Sequence, residues 1–82
     1  MKLEVAVKTF GILKDHFQSD FVLNLESPVR VLDVVEEMRR KKPETSRILE
    51  VSLWAVQDKM VGADRILVEG ETVLILPPLS GG

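Results

Sequence analysis

Polar and apolar residues alternate near the start of the chain: in "KLEVAVK", Leu3, Val5 and Val7 fall on one face and Lys2, Glu4 and Lys8 on the other. A period of two predicts a strand with one face buried, Ala6 being small enough to sit on the charged side. The run "DFVLNLE" repeats the pattern with Phe21, Leu23 and Leu25. The two runs are expected to pair antiparallel, through a connection too long for a tight hairpin. Within that connection Phe10, Leu13 and Phe17 recur at i, i+3 and i+7. That spacing fits a short helical stretch from Gly11 to Phe17 over the sheet edge, or else a plain loop with buried aromatics.

The period then lengthens. In "VRVLDVVEEMRRKK", Val31, Val34, Val35 and Met38 form an i, i+3, i+4, i+7 stripe, and Pro43 stops the helix soon after. Glu36 with Arg40, and Glu37 with Lys41, stand four apart with the acid first, the favourable order for pairs along a helix. After a polar stretch, "SLWAVQ" predicts a third strand and "KMV" a short fourth. A turn at Glu69-Gly70 leads into a last strand, Thr72 to Leu76. Val73, Leu74, Ile75 and Leu76 are all apolar, as expected of a central strand covered on both faces.

This order puts one main helix across a mixed sheet, an α+β arrangement in two layers. The last strand is expected parallel beside the first, because the helix supplies the long crossover. Strand–strand–helix–strand–strand is the order of the β-grasp, or ubiquitin-like, roll. It is assigned here to residues 1–76, with an extended tail over 77–82.

Composition narrows the function classes. At 82 residues, 45% hydrophobic and 29% charged, the chain reads as one small globular domain. Its net charge of −2 with interspersed signs argues against nucleic acid and against an anionic membrane surface. No window is long and apolar enough to span a bilayer, and the N-terminus does not open like a signal peptide. The absence of cysteine removes disulfides and thiolate sites and fits a cytoplasmic protein. Partners are therefore expected to be other proteins.

Within the domain the catalytic inventory is nearly empty. His16 is the only histidine, and with no cysteine beside it no metal site is expected. Gly11, Gly62 and Gly70 stand singly at turns, so no phosphate-binding loop is present. Asp64, Glu69 and Glu71 read as solvated acids around a turn. The block Arg39-Arg40-Lys41-Lys42 is read as cations at the negative end of the helix dipole. Trp54 fits a core position or an interface equally. Ser80 has no base near it in sequence, so no catalytic residue of the chain's own is assigned.

The remaining feature is the end, "LPPLSGG". Pro77 and Pro78 restrict the backbone to an extended exit from the sheet. Gly81 and Gly82 lack Cβ atoms, so the backbone can pass through a narrow channel. Average glycine usage of about 7% would give a terminal Gly-Gly by chance in only about 0.5% of chains. Joined to the element order and the apolar strand before it, the tail is the expected working part, with the Gly82 carboxylate as its reactive group.

On these features the chain resembles the ubiquitin-like sulfur carriers, and among them the small subunits of molybdopterin synthase. The resemblance covers essentially the whole chain, through "VKTFGILKD", "VLDVVEEM", "AVQDKMV", "EGETVLILPP" and "LSGG". The thiamine-pathway carriers look shorter and lack the insertion that Phe10 to Leu13 supplies. Two departures stand out: Arg30 takes the place of a Thr or Ser helix cap, with Ser27 or Asp33 as helpers, and Gln57 replaces a common Asn.

The resemblance implies that a ubiquitin-activating-type adenylyltransferase uses ATP to adenylate Gly82, and that a sulfur donor converts it to a thiocarboxylate. The tail, Leu79, Ser80, Gly81 and Gly82, would enter the active site of a molybdopterin synthase large subunit, in a heterotetramer. There it would give sulfur to cyclic pyranopterin monophosphate for the molybdenum cofactor. Phe10, Leu74, Leu76, Pro77 and Pro78 would face the partner, unless Leu74 and Leu76 are simply core. The chain would bind no cofactor or metal of its own. Alternatives are a carrier for tRNA thiolation or for thiamine or cysteine synthesis, a modifier conjugated through Gly82, and a plain interaction module.

Overall fold

The computed structural model describes residues 1–79. Strand β1 (Lys2–Thr9) pairs antiparallel with β2 (Asp20–Glu26), Val5 opposite Leu23 and Val7 opposite Phe21. Helix α1 (Val31–Lys41) carries the chain across the sheet, and the last strand, β7 (Thr72–Leu76), enters parallel to β1 with Val7 beside Val73. Strand β4 (Leu53–Val56) pairs antiparallel on the other side of β7 and turns back into β5 (Lys59–Val61). The main sheet therefore runs β2-β1-β7-β4-β5, a mixed sheet in the ubiquitin-like arrangement.

Three elements have no strong periodic signal. Residues Val29–Arg30 (β3) and Ile66–Leu67 (β6) form a separate two-stranded ladder, and Ser46–Glu50 forms a second helix, α2. The stretch after α1, polar in sequence, is thus a 3₁₀ turn, Pro43–Thr45, running into α2. It buries Leu49 and the hydroxyl-bearing Thr45, whose Oγ1 donates to the Lys42 carbonyl at 2.7 Å. Between β1 and β2 the chain makes a 3₁₀ turn, Gly11–Asp15, which puts Leu13 in the core and leaves Phe10 outside it. Phe17 instead stacks on Phe21, with centroids 5.8 Å apart.

The core lies between the sheet and α1. Val31, Val34, Val35 and Met38 pack with Leu3, Val5, Val7, Val73 and Ile75. Burial of this stripe is the main favourable term, since a helix of this length is marginal alone. Asp33 caps the helix start by accepting from the Arg30 N–H at 2.8 Å. Ser27 takes no part, because its hydroxyl donates to the Met1 carbonyl. The ion pairs along α1 are i,i+3 instead of the expected i,i+4: Glu36 with Arg39 at 3.1 Å and Glu37 with Arg40 at 2.6 Å. Both spacings are neighbours on a helix, and the bidentate fork of Arg40 on Glu37 decides between them.

The last strand is central in hydrogen bonding but is not covered on both faces. Val73 and Ile75 are fully buried, whereas Leu74 and Leu76 are only partly covered. One helical layer cannot cover both faces of a single sheet, so the apolar run in this strand serves two different environments.

Candidate functional site

Beyond the ladder that joins Leu53 to Leu76, the chain leaves the sheet at Pro77. Here the turn Phe10–Ile12 on one side and Leu76, Pro77, Pro78 and Leu79 on the other line an apolar groove of about 330 Å³. Phe10 and Ile12 are each 36% exposed. The 3₁₀ turn presents them outward because Leu13 takes the single inward position that a tight turn allows.

Of the residues expected to face a partner, Phe10, Leu76, Pro77, Pro78 and Leu79 are brought together at this groove. Leu74 lies one row along the sheet, between Lys8 of β1 and Ala55 of β4. Ser80, Gly81 and Gly82 lie outside the described residues.

The groove continues onto the uncovered sheet face. Residues opposite one another across a ladder share a face, so Leu53 stands beside Leu76, and Met60 beside Ala55. Leu53 is 61% exposed, Met60 56% and Val22, across β1, 49%. An apolar band thus runs from the tail base across the open face, and such contiguous patches mark interaction sites. Sequence reasoning missed Leu53, Met60 and Ile12. The signal was available for Leu53: it alternates with Trp54, which faces the core beside Ile75.

The acids near the last turn divide. Glu71 is buried, not solvated: its carboxylate accepts from both terminal nitrogens of Arg65 at 2.8 and 2.9 Å, from Gln57 Nε2 at 2.9 Å and from the Val68 N–H at 2.9 Å. The Arg65 hydrogen bonds, then that from Val68, hold its pKa down at about 2. These contacts join the β4–β5 turn, the β6 segment and the start of β7, which steadies the strand that carries the tail. His16 sits with Nδ1 3.8 Å from Glu44, away from the tail. Among the described residues no three His, Cys, Asp or Glu side chains converge as a metal site would require. No helix among them is long and apolar enough to cross a membrane.

What the geometry can do chemically is limited to holding and presenting the end of the chain. Comparison with known proteins agrees with that limit. The chain matches the model of the ThiS family over residues 7–82. No curated protein matches it.

Among solved structures it is similar to a protein assigned as molybdopterin converting factor subunit 1 from Pyrococcus furiosus, with TM-score 0.82 and 22% identity over 93% of this chain and 98% of that one. It is similar to small archaeal modifier protein 1 from Methanosarcina acetivorans, with TM-score 0.81 and 22% identity over 100% and 99%. In a complex of subunits 1 and 2 of molybdopterin-converting factor from Helicobacter pylori, the matching chain gives TM-score 0.68 and 22% identity over 98% and 100%. At these identities the structural likeness establishes the fold, and the family match establishes descent. The chain belongs to the ThiS family of ubiquitin-like sulfur carriers.

Proposed function

We propose that this chain is the sulfur-carrying subunit of molybdopterin synthase, with Gly82 as the residue that carries the sulfur. The observation that supports it most is the family match extending through Gly82, on a chain whose own domain offers no catalytic constellation. A carboxylate is a poor electrophile, so it must be activated. Its oxygen attacks the α-phosphorus of ATP on a ubiquitin-activating-type enzyme, and pyrophosphate leaves. A donor at the sulfide oxidation level then displaces AMP, leaving a thiocarboxylate on Gly82. The Leu79–Gly82 segment enters a large subunit, whose side chains catalyse transfer to cyclic pyranopterin monophosphate. The apolar band from Phe10 to Leu53 docks the domain beside that entrance. The likeness to a subunit 1 solved in complex with subunit 2 supports a partner of this kind, and the lack of cysteine fits work in the cytoplasm.

Intact-mass spectrometry of the chain from its native host tests the reading. An oxygen-for-sulfur replacement located at Gly82 is expected. A free carboxylate alone, even with activating enzyme, ATP and sulfur donor supplied, would reject it. Deleting Gly82 is expected to abolish molybdopterin formation while leaving the melting temperature unchanged; normal molybdoenzyme activity in a host without a second carrier would assign the chain to another pathway. A second reading, a modifier conjugated through Gly82, is favoured by the likeness to small archaeal modifier protein 1. Higher-mass conjugates on blots of native cells would support it.

A further inference from the structure

Gly11 opens the first 3₁₀ turn at φ +56°, in the left-handed region that favours glycine. A second constraint acts at the same atom. A Cβ built on Gly11 would stand 3.2 Å from Cγ of Pro77, closer than ordinary contact. That Cγ is not the loose end of a flexible side chain. It belongs to a ring closed onto the backbone nitrogen, so beyond a small pucker it moves only if the backbone of residue 77 moves.

Pro77 is also the first residue past both ladders that hold β7, which end at Thr9 beside Ile75 and at Leu53 beside Leu76. Lacking an N–H, it can make no further ladder bond. The joint between sheet and tail is therefore fixed on one side by the strand and on the other by the Phe10–Ile12 turn.

We propose that Gly11 is a positioning residue for sulfur loading: by letting the turn close against the Pro77 ring, it sets the direction in which residues 78–82 leave the sheet. This rests on the sulfur-carrier reading above. The five residues after Pro77 can reach at most about 17 Å. A rotation of a few degrees at the joint then displaces the far end by on the order of 1 Å, and misplacement of that size can cost about 100-fold in rate.

Gly11→Asn adds a Cβ while keeping a residue that tolerates the left-handed region. The full chain is the substrate of the activating enzyme, so the kinetic constants separate the mechanisms. Loss of folded chain or of docking raises KM, whereas a misaimed terminus lowers kcat at unchanged KM. Gly11→Asn is expected to lower kcat for adenylation at least tenfold with KM within about twofold. In a Pro77→Ala background, where Cγ is gone, it should lower kcat no further. Unchanged kcat, a rise in KM alone, or an equal loss in both backgrounds would overturn the proposal.

Nuclear magnetic resonance of the same variants judges the geometry apart from the chemistry. A cross-peak between the Gly11 α-protons and Pro77 Hγ is expected, as is a change in the residual dipolar couplings of Leu79 in Gly11→Asn that the Pro77→Ala background removes. Absence of either would refute the positioning role. If the wild-type chain is not adenylated at all, the sulfur-carrier reading falls, and these spectra still decide whether Gly11 directs the tail.

Discussion

Glu71 shows how much one carboxylate can organise in a small domain. It is surrounded by donors from three separate segments, and its pKa of about 2 against an ordinary 4.5 comes first from Arg65 and then from the Val68 N–H. A depressed carboxylate pKa stabilises the fold fully above the unfolded value and loses that contribution as pH falls through the folded value. The window for this group is therefore about pH 4.5 down to about 2. Glu71→Gln is expected to cost on the order of 2 kcal/mol near neutrality, or roughly 10 °C in melting temperature at this chain length. The gap from wild type should close as melting is followed down through that window. A gap independent of pH would show that the charge is not what matters. Gln57 belongs to the same network and also explains a departure from the family pattern. It occupies φ +53° beside Asp58 at φ +65°, the left-handed pair that a two-residue hairpin turn requires. Asn is favoured there, and the longer Gln side chain instead reaches Glu71 at 2.9 Å.

Helix α1 owes its stability to one face. Met38 is fully buried at the centre of contact with the sheet, so Met38→Ala leaves a cavity as well as losing transfer free energy. About 3 kcal/mol is expected, a melting-temperature fall of roughly 12–24 °C by calorimetry. The exposed face should matter far less: the Glu37–Arg40 pair, although it holds the Glu37 pKa low through the Arg40 hydrogen bond, is mostly solvated on the arginine side. Helix α2 escaped the periodicity because five residues, Ser46–Glu50, are too few to show one, and its propensity is ordinary. It exists because Leu49 has a core to enter, a cause that lies outside the segment itself.

Over the whole molecule, a single layer of helix leaves one sheet face open, and the apolar residues there continue into the groove at the tail base. Leu53 is the most exposed member of that band, at 61%. Leu53→Lys should therefore change stability by no more than about 0.5 kcal/mol. On the proposed function it should weaken binding to the large subunit at least tenfold, about 1.4 kcal/mol, measurable by titration calorimetry beside a thermal melt. Unchanged affinity would move the docking surface elsewhere. The same surface explains why the last strand misled: its uninterrupted apolar run looks like burial on both sides, yet Leu74 and Leu76 contribute to the open face.

The main strands, the main helix and their order were legible along the chain because alternation and the 3.6-residue stripe are local consequences of one buried face. The parallel placement of β7 followed from the crossover, and the tail was legible because two prolines and two glycines restrict or free the backbone whatever surrounds them. The rest depended on residues far apart in sequence. Gly11 meets Pro77, Gln57 and Arg65 meet Glu71, and Leu53 meets Leu76 only after the sheet has formed. Hydrophobicity says that a residue avoids water; it does not say which neighbour, or which partner, will cover it. That choice belongs to the packing, which closed one face of this sheet and left the other beside the tail.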